Sequence, residues 1–241
     1  MIVFDHVTKQ FGSLTPALSD ISITIPDGQF VFLIGPSGAG KSTILRLMLR
    51  DISVTSGSIV IDEWDIGSIP DPSIHLLRRH IGMVFQDFKL LTDRTVYENI
   101  ALGLEILGKG PAEIEKGVMD VLSLVGLPDK RYSFPQQLSA GELQRVGIAR
   151  AIVGGPKILL ADEPTGNLDP NTADDIMDIL LEINKLGTTV IVATHNVSVV
   201  NQMKKRTITI KNGVIATDEE KGKYHIHPRH HHETKHEKED A

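Results

Sequence analysis

The chain has 241 residues, 41% apolar and 23% charged, enough to bury one large core or two small ones. Its 25 Lys and Arg are outnumbered by 31 Asp and Glu, for a formal net charge of −6, which argues against nucleic acid as a partner, since that binding needs basic patches to neutralise phosphates. It has no cysteine, which excludes disulfides, Cys-based zinc sites and thiol nucleophiles.

No apolar run approaches the ~20 residues of a membrane-spanning helix, and Met1 to His6 lacks the basic start and apolar stretch of a secretory signal. Any membrane contact is therefore expected through a partner. Ile21 to Ile25 alternates apolar and polar residues, which predicts a strand ended by the turn Pro26-Asp27-Gly28. Gln29 to Ile34 is a nearly continuous apolar run and predicts a strand buried on both faces. It leads into a Gly-rich loop, then a helix from Lys41 to about Leu49. From about Ser73 to Gly155 the chain reads as an inserted helical subdomain, with breaks at Lys109-Gly110-Pro111, Gly126-Leu127-Pro128 and Phe134-Pro135. Lys157 to Asp162 and Thr188 to Thr194 predict two further buried strands, each followed by a loop and a helix. Strands alternating with helices indicate an α/β fold with a mainly parallel sheet. Residues 1–222 form the expected domain. From Lys223 to Ala241 the composition turns to histidine and charge, and this segment is expected to be a disordered, solvated tail.

Three motifs carry chemistry. Gly35-Pro36-Ser37-Gly38-Ala39-Gly40-Lys41-Ser42, followed by Thr43, fits G-x-x-x-x-G-K-[ST], the phosphate cradle of P-loop NTPases. Its glycines let phosphate oxygens approach the backbone, and its amides and the following helix N-terminus converge on the anion. Lys41 is the expected contact to the β- and γ-phosphates, and Ser42 the hard oxygen ligand for Mg²⁺. The run Ile158 to Ala161 ends in Asp162 and Glu163. Parallel strands bring such ends to one edge, where Asp162 suits Mg²⁺ and Glu163 suits a general base for the attacking water. Leu138 to Arg145 opens a helix, with Ser139 and Glu142 spaced as a capping box. A GTPase reading fails because the nearest match to N-K-x-D is Asn184-Lys185-Leu186-Gly187, without the aspartate.

Taken together with Gln86 in Val84-Phe85-Gln86-Asp87, Asn167-Leu168-Asp169, and His195 after an apolar strand, these motifs resemble the nucleotide-binding subunits of ABC transporters over roughly residues 1–222. Within that superfamily, Leu76 to Leu91, Thr95 to Ala101 and Ala161 to Pro170 look most like the bacterial cell-division (FtsE) family, although lipoprotein-release and macrolide-export ATPases share the last stretch. The resemblance implies a P-loop core with an N-terminal antiparallel β-subdomain and an inserted helical subdomain, and an Mg²⁺-dependent ATPase. It implies Phe11 stacked on adenine, Gln86 linking Mg²⁺ to a membrane partner, and His195 at the γ-phosphate. ATP is implied to join two copies head to tail, with Ser139 and Gly141 of one copy facing the cradle of the other and Asp169 at the contact. The implied partner is an integral membrane protein of the FtsX type, which places the chain peripherally on the cytoplasmic face of the cell membrane. Ala140 departs from the family's usual glycine, and Leu143 from a common polar residue.

Overall fold

Side-chain alternation in the central strands decides how the layers stack. The computed structural model describes residues 1–12 and 15–222; the tail expected at 223–241 lies outside the described residues. In chain order the elements are β1 (Ile2–Lys9), β2 (Leu18–Ile25), β3 (Phe30–Ile34), α1 (Lys41–Met48), β4 (Ser56–Ile61), β5 (Trp64–Asp65), α2 (Ile74–Arg78), β6 (Ile81–Val84), α3 (Val96–Ile106), α4 (Pro111–Leu124), α5 (Ala140–Ile152), β7 (Ile158–Asp162), α6 (Pro170–Lys185), β8 (Thr189–Thr194), α7 (Val197–Met203), β9 (Arg206–Lys211) and β10 (Val214–Glu219).

Six strands form the main sheet in the order β10-β9-β3-β8-β7-β6, all parallel except the edge hairpin β9–β10. Phe30, Phe32, Ile34, Leu159, Ala161, Val190 and Val192 point into one core, shared with α3, α4, α5 and α6. The residues between them, Val31, Leu33, Ile158, Leu160, Ile191 and Ala193, point into a second core. That core is closed by α1 and by the antiparallel sheet β2-β1-β4-β5. The period of two thus supplies both faces, which is why these strands read as continuous apolar runs.

The stretch expected to be helical over 73–155 contains one strand, β6, paired in parallel with β7. The helical layer therefore begins after it, and α3, α4 and α5 run from Val96 to Ile152. β6 has only four residues, and Gly82 interrupts its apolar pattern. The glycine is there because α5 lies close: a Cβ on it would come within 2.4 Å of the Ala151 carbonyl. On the same helix, Gln144 is 1% exposed, and its amide nitrogen has no hydrogen-bond partner among the described residues.

Candidate functional site

Strand register assembles the site. Ile34 pairs with Thr194, Ala193 with Asp162, and Ala161 with Val84, so the residues that follow these strands leave one edge of the sheet together. They are the Gly35–Gly40 loop, His195, Glu163 and the Phe85–Gln86 segment. Pro36 through Thr43, with Gln86, Asp162, Glu163, His195 and Val197, line a cleft of about 590 Å³. A cleft of about 570 Å³ lies at the opposite ends of the strands, lined by Asp27, Lys157, Leu186 and Thr189 among others, and shares none of these residues.

The loop needs its glycines for room as well as for conformation. At Gly35 (φ 150°) a Cβ would lie 2.1 Å from the Ile210 carbonyl oxygen; at Gly40 (φ 111°) it would lie 2.6 Å from Leu18 Cδ2. Gly40 caps α1 without a side-chain hydrogen bond, so the helix N-terminus keeps its first amides for an anion. Lys41 is buried and donates through Nζ to the carbonyls of Gly35 (2.9 Å) and Pro36 (3.3 Å); Nζ lies 3.8 Å from Glu163 Oε1.

The two carboxylates differ in their surroundings. Ser42 Oγ donates to Asp162 Oδ1 at 3.1 Å. Burial pushes the Asp162 carboxyl above its ordinary range, opposed by the Ser42 hydrogen bond and reinforced by the negative charge of Glu163. Glu163 has left-handed backbone (φ 48°), fixed by its N–H donating to Ala193 and its carbonyl accepting from Gly166. Its Oε2 accepts from Thr194 Oγ1 (3.2 Å) and the His195 amide (3.3 Å), and Oε1 lies 2.8 Å from His195 Nδ1. Thr194 was not singled out by sequence reasoning; a hydroxyl ending an apolar strand just before His195 was the available signal.

Gly35 lies just behind the cleft lining, and Phe11, Ser139, Gly141 and Asp169 lie away from it. Phe11 is 48% exposed, with Lys9 Nζ 4.8 Å from its ring centroid, leaving aromatic surface open to solvent. Ser139, Gly141 and Asp169, with Ala140, Arg145 and Thr172, line a separate pocket of about 440 Å³. The capping box is formed: the Glu142 amide donates to Ser139 Oγ at 3.3 Å, and the Ser139 amide to Glu142 Oε2 at 2.8 Å. Asp169 caps α6, its Oδ1 accepting from the Thr172 amide at 3.1 Å and its Oδ2 from the Thr172 hydroxyl at 2.5 Å. Thr172 also explains Gly141, where a Cβ would fall 2.5 Å from Thr172 Cγ2. One chain therefore carries a phosphate cradle and a second helix N-terminus in two different pockets.

The family model for ABC transporters matches residues 18–166. The chain is 51% identical to the cell division ATP-binding protein FtsE of Bacillus subtilis (strain 168), over 93% of its own length and 98% of that protein. It is 50% identical to FtsE of Mycobacterium tuberculosis (strain ATCC 25618 / H37Rv), over 93% and 98%. Among solved structures, a dimeric bacterial ABC transporter cassette superposes with a TM-score of 0.84 at 36% identity, over 93% of this chain and all of that one. A dimeric ATP-binding cassette in a post-hydrolysis state with ADP and Pi superposes with a TM-score of 0.83 at 34% identity, over 93% of this chain and 100% of that one. With more than half of its length matched by the family model and relatives of about half identity along nearly their whole length, this chain belongs to the ABC transporter family, as an ATP-binding subunit that hydrolyses ATP.

Proposed function

We propose that the chain powers a membrane complex of bacterial cell division, as the names of its FtsE relatives suggest, and that, as its motifs imply by resemblance, it acts with an integral membrane protein of the FtsX type to control cell-wall hydrolysis. The observation that carries the ATP-driven part is the division of the site. The cradle residues and the Ser139 helix N-terminus open into different pockets, so a second copy is needed to bring them onto one nucleotide. The solved dimers of similar cassettes support that arrangement. Among the described residues no helix is long and apolar enough to cross a membrane, in keeping with a peripheral subunit held at the cytoplasmic face by its partner.

In this reading residues 1–222 act as one ATP-binding domain, and each residue has a task that its geometry supports. The amides of Gly35 to Thr43 receive the phosphates, and Lys41 leaves the Gly35 and Pro36 carbonyls for the β- and γ-phosphates. Ser42 and Asp162 offer adjacent hard oxygens that suit Mg²⁺, and a cation held there would favour the charged form of the Asp162 carboxyl against its burial. With Gln86 at the cleft wall, Mg²⁺ held there would neutralise phosphate charge. Glu163 exchanges its hydrogen bonds to Thr194 and His195 for the attacking water and takes its proton, while His195 turns to the γ-phosphate. Phe11 stacks on adenine, and Asp169 lies at the contact between copies.

Affinity capture of the chain from detergent-solubilised membranes, after cross-linking in cells, tests the partner. Recovery of a four-helix membrane protein with a large extracytoplasmic domain is expected. A solute-transporting permease in its place would overturn the division reading and leave the ATPase intact.

A further inference from the structure

The loop after Gln86 keeps a backbone shape that it does not favour. Phe88 and Lys89 are consecutive left-handed residues, φ 58° and 51°, and neither is glycine, so the pair persists only where its surroundings hold it. Within the loop, the Lys89 amide donates to the Asp87 carbonyl and Lys89 Nζ pairs with the Asp87 carboxylate; from outside it, a side chain of α5 holds the two carbonyls. Arg150, in the last turn of α5, donates through Nη1 to the Lys89 carbonyl at 2.5 Å and through Nη2 to the Phe88 carbonyl at 2.8 Å. Among the described residues no carboxylate lies within ion-pair distance of it, so the two carbonyl dipoles are what its guanidinium faces. Asn99 of α3 ties the far end of the loop, accepting from the Leu91 amide at 2.8 Å and donating to the Leu91 carbonyl at 3.0 Å.

Both ends of α5 are thus engaged. Its first turn carries the capped Ser139, and its last holds the loop that begins with Gln86, about 16 Å away at the rise of an α-helix. We propose that Arg150 is a positioning residue for ATP hydrolysis: it locks the Phe88–Lys89 backbone so that Gln86 keeps its place at the wall of the nucleotide cleft. It thereby makes the Ser139 pocket and the Gln86 loop one rigid unit. The proposal rests on the ATPase reading of that cleft and on Gln86 serving it.

The test uses the full chain with Arg150→Met and Arg150→Lys, and Lys41→Ala as a control for the cleft itself. With Arg150→Met, affinity for a non-hydrolysable ATP analogue and KM should stay within about twofold, because the cradle is untouched. kcat should fall about tenfold or more. Arg150→Lys should recover only a minor part, since an ammonium lacks the planar fork that meets two carbonyls. Trypsin cleavage after Lys89 should be slow in the wild type and at least about tenfold faster in Arg150→Met at equal melting temperature. A kcat within twofold of wild type in Arg150→Met overturns the proposal. So does a loss of kcat accompanied by an equal loss of ATP affinity and of melting temperature, or full recovery by lysine. Failure of both variants to fold would make Arg150 structural and overturn it too. Hydrolysis that survives Lys41→Ala unchanged would instead remove the ATPase reading of the cleft.

Discussion

Asp162 and Glu163 follow one another in the chain yet face different demands. Asp162 is desolvated, with a single hydroxyl donor, and its carboxyl is pushed upward, whereas Glu163 has three donors around it. The raised carboxyl has a signed consequence. A folded-state pKa above the unfolded value means that stability falls as pH rises from the ordinary aspartate range through the raised value, and the loss persists at neutral pH. Asp162→Asn should therefore melt higher than the wild type without nucleotide at pH 7. It should also gain less melting temperature on adding Mg²⁺-ATP, because the anionic ligand is gone. Thermal scans with and without Mg²⁺-ATP check both, and a lower nucleotide-free melting point would contradict the assignment. The carboxylates, the lysine and the glycines were readable because each sits in a motif with fixed spacing. Arg150 and the Thr194–Glu163 pairing were not: their partners lie 61 and 31 positions away in the chain, and no motif spacing joins them.

At the scale of elements, the loop between β6 and α3 shows where apolar pattern misleads. Phe88, Leu90 and Leu91 lie close together in a loop, a pattern that would suggest an exposed apolar docking patch. The structure divides them: Phe88 is half-buried, Leu90 is half-buried against the larger core, and Leu91 is 42% exposed. If a membrane partner docks on this loop, Leu91 is the expected apolar contact. Leu91→Asp should leave melting temperature and ATP affinity near wild type and reduce recovery with the membrane fraction. Leu90→Asp should instead lower the melting midpoint by at least a few °C, because a carboxylate there is partly desolvated and displaces apolar packing against the core. Co-sedimentation and thermal scans on both variants decide it; normal membrane recovery of a folded Leu91→Asp would remove the loop from the contact. β6 went unread for a related reason. Its four residues and central Gly82 carry too little pattern to distinguish a strand from the helices around it, and its identity comes from pairing with β7.

For the whole molecule, a mainly parallel sheet of strands buried on both faces was legible, because those strands read as continuous apolar runs alternating with helices, whereas the strand order was not. The separation of cradle and Ser139 pocket is a three-dimensional fact that no one-dimensional spacing contains. It makes oligomeric state a reporter of chemistry. Glu163→Gln should bind ATP, lose ~10²–10⁴-fold in turnover, and accumulate as a dimer in Mg²⁺-ATP. Light scattering should find that dimer and find monomer once the nucleotide is removed. A monomer at saturating ATP, or turnover close to wild type, would contradict the shared site.

Gln144 bears on how much of this protein a cell can keep. A buried amide donor without a partner costs about 1–3 kcal/mol, and an apolar side chain of similar shape avoids that cost. In a chain of this length each kcal/mol is worth roughly 2–4 °C of melting temperature. The same increment alters the unfolded fraction that proteases clear, and hence steady-state abundance, several-fold. Gln144→Met should melt at least about 2 °C higher and accumulate to a higher level in cells under proteolytic load. A lower melting point would show that the amide is satisfied after all. A higher melting point with slower turnover would mean that the unmatched donor is retained for another arrangement of α5, reached during the ATPase cycle and paired there.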